Sequence, residues 1–73
     1  MTEKTEQQKL AIRLHHWLEH NSAHTDEFQK GAEKANELGC PEVHDEILLA
    51  AEKLSEASEY LRRASEKLGD SHD

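Results

Sequence analysis

Four histidines lie within ten residues of a 73-residue chain, in the stretch HHWLEHNSAH at positions 15–24. Imidazole nitrogens bind nickel, zinc and cobalt, so a cluster of this kind is a candidate site for a transition-metal ion. His16, His20 and His24 follow one another at intervals of four residues. On a helix, this spacing puts neighbouring side chains on one face about 6 Å apart, close enough for two imidazoles to share an ion.

Either His16 with His20 or His20 with His24 could hold the ion. All three together would be strained, because His16 and His24 lie about 12 Å apart along a helix axis. Glu27 lies one turn beyond His24, and Glu56 should approach the same edge from a second helix. The predicted site is therefore His20, His24 and Glu27, completed by Glu56 or by water, with His16 as the neighbouring histidine of the ridge.

A second interpretation of the same residues involves no metal. Asn21 and His24 both fall within an otherwise apolar helical repeat. A polar pair in such a repeat can serve only to fix register and oligomeric state, at some cost in stability. Cys40 and His44 also lie four residues apart, where a thiolate at a helix start could bind metal, or where a cysteine could simply precede proline in a turn. These alternatives remain open at the level of sequence.

The elements that must position the histidines are two long helices. In the stretch LGCPEV, Gly39 can adopt the left-handed conformation that ends a helix, and Pro41 fits the first turn of a new one. We expect one domain over residues 1–73, with helix 1 from about 3 to 38, a turn at 39–41, helix 2 from about 42 to 68 and a flexible tail at 69–73. A break near Asn21 and Ser22 is the alternative, since both residues can end or cap a helix.

Both predicted helices carry heptad spacing. The predicted seam of helix 1 is Leu10, Leu14, Trp17, Asn21, His24, Phe28, Gly31, Ala35 and Leu38. The predicted seam of helix 2 is Val43, Ile47, Ala50, Leu54, Ala57, Leu61, Ala64 and Leu68. Apolar or small residues at alternating intervals of four and three are typical of helices packed along their length, and a short turn forces the two to run antiparallel. The fold class expected is all-α, an antiparallel coiled-coil-like hairpin.

A second strip of small, weakly apolar residues flanks this predicted seam. It pairs Ala32 with Ala51, Thr25 with Ser58 and Leu18 with Ser65. Two helices alone bury little apolar area, which would barely offset the entropy lost on ordering them. We therefore expect a homodimer that forms a four-helix bundle, with a second hairpin lying on this strip.

The composition of the chain restricts the classes of partner that it is expected to bind. The net charge of −7 argues against binding nucleic acid or an anionic membrane surface, because both require a basic surface. The start of the chain lacks the apolar core of a signal peptide, and no apolar run approaches a membrane span. With a single cysteine, no internal disulfide can form. A cytoplasmic protein is the expectation.

The stretch HHWLEHNSAHTDEF, with AEKANELGCPEV and ILLAAEKLSEASEYLRRASEKL after it, resembles a family of small prokaryotic helical-hairpin domains of uncharacterised function. The resemblance covers residues 10–68, and its motif H-W-x-x-H-N-x-x-H falls on His16, Trp17, His20, Asn21 and His24. Some members carry a preceding histidine-rich tract that suggests nickel, cobalt or zinc handling. This chain lacks that tract, which weighs against a role in bulk metal storage.

Two functions are expected from these observations. The first is a small transition-metal-binding accessory protein that uses the histidine ridge of helix 1. The second is a structural or protein-interaction bundle without metal, in which the weakly apolar strip engages another chain. An enzyme is not expected, because the sequence offers no nucleophile paired with a base and no phosphate-binding loop.

Overall fold

The computed structural model of the chain describes residues 5–70. It contains two helices, α1 (Glu6–Glu37) and α2 (Pro41–Asp70), which pack against each other along their length as a hairpin. The described residues include no strand, so the predicted all-α antiparallel hairpin is confirmed. α1 runs unbroken through Asn21 and Ser22. The break considered at these two residues does not occur.

A capping box begins α1. The hydroxyl Oγ1 of Thr5 accepts a hydrogen bond from the backbone N–H of Gln8 at 3.1 Å, and the Thr5 N–H donates to Oε1 of Gln8 at 2.9 Å. This reciprocal pair satisfies two backbone groups that would otherwise lack partners at a helix start. The predicted start at residue 3 lies outside the described residues.

Gly39 makes the turn between the helices possible. Its φ of +79° lies in the left-handed region, as predicted, and the N–H groups of Gly39 and Cys40 donate to the carbonyls of Asn36 and Ala35 at 3.1 and 2.9 Å. This pair of bonds is the Schellman arrangement that ends helices at glycine. Pro41 then opens α2, which continues through Gly69 to Asp70. Residues 71–73 of the predicted tail lie outside the described residues.

The line of contact between the helices differs from the predicted seam. Its buried and half-buried positions in α1 are Gln7, Ala11, Leu14, Leu18, Asn21, Thr25, Phe28, Gly31, Ala32 and Ala35. In α2 they are His44, Ile47, Ala51, Leu54, Ser58, Glu59, Leu61, Ser65 and Leu68. About half of these positions belong to the predicted seam. Most of the others lie one residue further along the chain.

The seam prediction was therefore wrong for Trp17 and His24, which are exposed, and right for Leu14 and Phe28. Small side chains such as Ala32 lie at the contact instead, because they let two helix backbones approach closely. The strip predicted to receive a second hairpin is thus occupied by the chain's own second helix.

The hairpin has almost no interior of its own. Its dimensions are 58 × 22 × 12 Å, so it is a slab one helix thick. Among the residues that the structure describes, only Leu14 and three alanines, Ala32, Ala35 and Ala51, are buried hydrophobic residues. Within the described residues, neither helix offers a stretch both long and apolar enough to cross a membrane.

Candidate functional site

The structure brings two of the predicted metal ligands together. The rings of His20 and His24 lie one turn apart on α1, with their centroids separated by 4.9 Å and their planes inclined by 43°. Both side chains are exposed to solvent. Two accessible imidazoles at this separation can point nitrogens toward a common ion after small rotamer adjustments.

Glu27 contacts the second of these histidines. Its Oε1 atom lies 3.1 Å from Nδ1 of His24, the distance of a hydrogen bond in which Nδ1–H donates to the carboxylate. A proton on Nδ1 leaves the lone pair of Nε2 free, and Nε2 is then the atom available to a metal. In this position Glu27 orients His24, as carboxylates commonly do for metal-binding histidines.

The other two predicted ligands lie apart from this group. His16 is exposed and makes an edge-on contact with His15 at 6.5 Å between centroids. Glu56 forms an ion pair with Lys53 at 3.6 Å on α2. Among residues 5–70, no group of three or more His, Cys, Asp or Glu side chains is arranged to hold a metal ion. One hairpin therefore presents an incomplete site.

Two further residues considered in the sequence have different surroundings. Nδ1 of His44 lies 3.0 Å from a carboxylate oxygen of its neighbour Asp45. Sγ of Cys40 is exposed and lies 3.9 Å from the carbonyl oxygen of Leu38. Each side chain thus has a partner other than the cysteine–histidine pairing considered above.

An apolar groove lies beside the histidine pair, on one broad side of the hairpin. It is lined by residues of both helices, namely His24, Phe28, Ala50, Lys53, Leu54 and Ala57. Residues seven or fourteen positions apart lie on nearly the same side of a helix. Trp17 is seven residues from His24, Leu10 and Leu38 are fourteen residues from it, and Val43 is seven residues before Ala50. These four residues therefore extend the side on which the groove lies. We call this side the apolar face: Leu10, Trp17, Phe28, Leu38, Val43, Ala50, Leu54 and Ala57.

Large side chains of the apolar face are accessible to solvent. Leu10 is 44% exposed, Trp17 45%, Val43 51% and Leu38 67%. Sequence reasoning assigned these residues to the contact between the helices and so missed them as a surface. Two features of the sequence identify them as surface residues. They are spaced by multiples of seven residues within each helix, and their side chains are too large for the close approach of α1 and α2.

The opposite side of the hairpin is more polar, although Leu48, which is 40% exposed and lies seven residues before Ser55, also belongs to it. A depression there is lined by Leu18, Ser22, Thr25, Asp26, Ser55, Ser58, Glu59 and Arg62. Arg62 hydrogen-bonds to Glu59 and, at 3.1 Å, to Glu66. The hydrogen bond from Arg62 lowers the pKa of Glu59, and it raises that of Arg62 in return. Hydroxyls and ion pairs are well solvated, so this side is suited to face water.

These features define a class: a small, all-helical hairpin domain with an exposed apolar face and a histidine pair at its edge. Residues 10–68 match the family described as Domain of unknown function (DUF8180), and the chain belongs to that family. An uncharacterized protein of Archaeoglobus fulgidus is 37% identical over 62 residues, which cover 85% of this chain and 98% of the relative. No solved structure matches the chain.

Proposed function

We propose that the chain is a non-catalytic association module that pairs with a second copy of itself to form a four-helix bundle. The observation that carries this proposal is the exposed apolar face. Isolated exposed apolar residues are ordinary on protein surfaces, but a continuous apolar side with a tryptophan on it is typical of an interaction surface.

The total surface area leaves room for an interface of standard size. The chain exposes 5871 Å². A compact folded protein of 8.4 kDa should expose about 4,600 Å². The excess of roughly 1,300 Å² is somewhat more than the 800 Å² or so that each partner buries in an interface of standard size. A partner laid on the apolar face would cover part of this excess.

Substitutions to glutamate on either side of the hairpin test the proposed dimer. Ala57 lies in the groove of the apolar face, so Ala57→Glu would bury two charges in the bundle and should give monomers. Ser55 is exposed on the same helix and lines the depression on the opposite side of the hairpin, so Ser55→Glu adds the same charge as a control and should remain dimeric. Sedimentation velocity at matched concentrations distinguishes the two results. Identical sedimentation of both variants would contradict the proposal.

Transition-metal binding is a second candidate function, favoured by the contact between His20 and His24. In this function the chain is a small accessory protein for nickel, zinc or cobalt. Calorimetric titration of untagged protein tests it, with His20→Ala/His24→Ala compared against His15→Ala/His16→Ala. Both variants lose two exposed histidines, and only the first should lose binding. Equal affinity in the two variants would reject His20 and His24 as ligands.

A further inference from the structure

We infer that a transition-metal ion is held between two copies of the chain, by His20 and His24 of each. The inference rests on the proposed dimer and adds to it a site, a ligand set and an orientation. The two α1 helices would lie side by side and antiparallel at the centre of the bundle. The ion would then have four imidazole ligands, which suits the tetrahedral preference of zinc and is also accepted by cobalt.

The first step is that one hairpin is insufficient. His20 and His24 contribute two imidazoles, and no group of three or more candidate ligands occurs among residues 5–70. Both rings are exposed beside the apolar face, where the second copy would lie. The partner is therefore the natural source of the missing ligands.

The second step concerns the position of the histidines along the helix. α1 spans Glu6–Glu37, so its middle falls between Asn21 and Ser22. His20 and His24 lie on either side of that middle. In an antiparallel pair of α1 helices centred there, His20 of one copy is level with His24 of the other. The four rings then form a single cluster about the two-fold axis.

The third step is that α2 carries small residues close to the same centre. Ala50, Ala57 and Ala64 are spaced by seven residues, so this series is symmetric about Ala57. Ala57 lines the groove together with His24 and is therefore at nearly the same level of the hairpin. An antiparallel pair centred on α1 brings Ala57 of one copy within about two residues of the level of Ala64 of the other, where small side chains permit close approach.

Charge does not select between the orientations. The antiparallel pairing places Arg13 of one copy about one turn from Glu27 of the other, an attraction repeated by symmetry. It also places Lys9 of one copy level with Lys34 of the other, a repulsion that offsets the attraction of Arg13 and Glu27. In a parallel face-to-face pair, each α1 would instead lie against α2 of the second copy. The two histidine pairs would then be diagonal across the bundle, and His20 would lie at its outer edge.

Glu27 has a positioning role in this arrangement. Its carboxylate accepts the Nδ1–H of His24 and so leaves Nε2 as the nitrogen free to bind the shared ion. Glu27 is therefore assigned next to the ligands and not among them. His16 and Glu56 are not part of the inferred site, since their contacts are with His15 and Lys53.

The test is a titration of the untagged dimer with Co²⁺, followed by displacement with Zn²⁺. We expect saturation at one ion for two chains, with the intense visible absorption of tetrahedral cobalt. His20→Ala/His24→Ala should lose this signal while remaining dimeric, and His15→Ala/His16→Ala should keep it. One ion per chain, or no bound ion, in a protein that remains dimeric would overturn the inferred site and leave the dimer standing. A monomer would overturn both.

The orientation is tested with the native cysteine. A spin label on Cys40, the chain's single cysteine, reports the distance between the two turns of the dimer. An antiparallel pair centred on the histidines separates the labels by roughly 50 Å, given a rise of about 1.5 Å per residue. A parallel pair would bring both turns to the same end, within roughly 25 Å. The shorter distance would overturn the shared four-histidine site.

Discussion

The Nδ1 atom of His24 lies 3.1 Å from Oε1 of Glu27, one turn further along α1. This contact fixes which imidazole nitrogen is free, and it does so at the edge of the exposed apolar face. A nearly equivalent pair on the same helix, His15 and Glu19, has its closest atoms 3.5 Å apart and points away from that face. The two pairs therefore provide a matched comparison.

Glu27→Gln should weaken metal binding by about 10- to 100-fold without changing the number of ions per dimer, because the amide orients His24 less strongly and adds no charge. Glu19→Gln removes the equivalent carboxylate beside His15 and should leave affinity unchanged. Calorimetric titration with Zn²⁺ measures both. If the two variants bound zinc equally well, the positioning role of Glu27 would be excluded.

Trp17→Ala should dissociate the dimer. Truncating a tryptophan buried in an interface costs about 2 kcal/mol, and the dimer contains two, so the dissociation constant should rise more than about 100-fold. Ile12 is similarly exposed, at 39% against 45%, and lies about 140° around the helix from Trp17. Ile12→Ala should therefore have little effect. Dilution series monitored by sedimentation give the constants, and similar values for the two variants would place the interface elsewhere.

Gly39→Ala should destabilise the hairpin by about 1 kcal/mol, because a side chain at φ +79° is strained even though the surrounding space is open. Gly69 lies within α2 and also has open space around it, so Gly69→Ala should be neutral or slightly stabilising. Urea denaturation at one fixed protein concentration measures both changes. Equal stability of the two variants would show that the turn tolerates the strain.

The Glu59–Arg62 pair predicts a small dependence of stability on pH. The hydrogen bond from Arg62 lowers the pKa of Glu59 from its ordinary value of 4.5, so folding favours the ionised carboxylate. Its contribution is present above pH 4.5 and is lost as the pH falls through the lowered pKa. The difference in Tm between the wild type and Glu59→Gln should shrink below pH 4.5. It should also shrink in 1 M salt, because the pair is exposed.

The helices and the turn could be predicted because local chemistry determines them. Gly39 adopts the left-handed conformation that ends α1, and Pro41 begins α2. The periodicity of the apolar residues predicts that the segments on either side are helical. Glu56 could not be placed in this way. Its direction depends on how α2 is rotated about its own axis. That rotation follows from the contact line, which differs by one residue from the predicted seam at about half of its positions.

The rotation itself was ambiguous for a physical reason. The apolar residues of α1 form two lines and not one, namely the contact line with α2 and the exposed apolar face. Leu14 and Phe28 fit both lines and were predicted correctly. Trp17 and Ala32 each fit only one. Side-chain size determines which line each residue joins. The close contact between α1 and α2 accommodates Ala32, whereas Trp17 is too large for it and lies on the surface.

The central claim is that two hairpins close their apolar faces on each other. Native mass spectrometry of the untagged wild-type chain at micromolar concentration tests it most directly, because it gives the mass of the assembly and of any bound ion together. The account predicts a species of two 8.4 kDa chains that carries one ion when zinc is supplied. A folded species of one chain throughout this range would contradict it, and would assign the apolar face to a different protein partner.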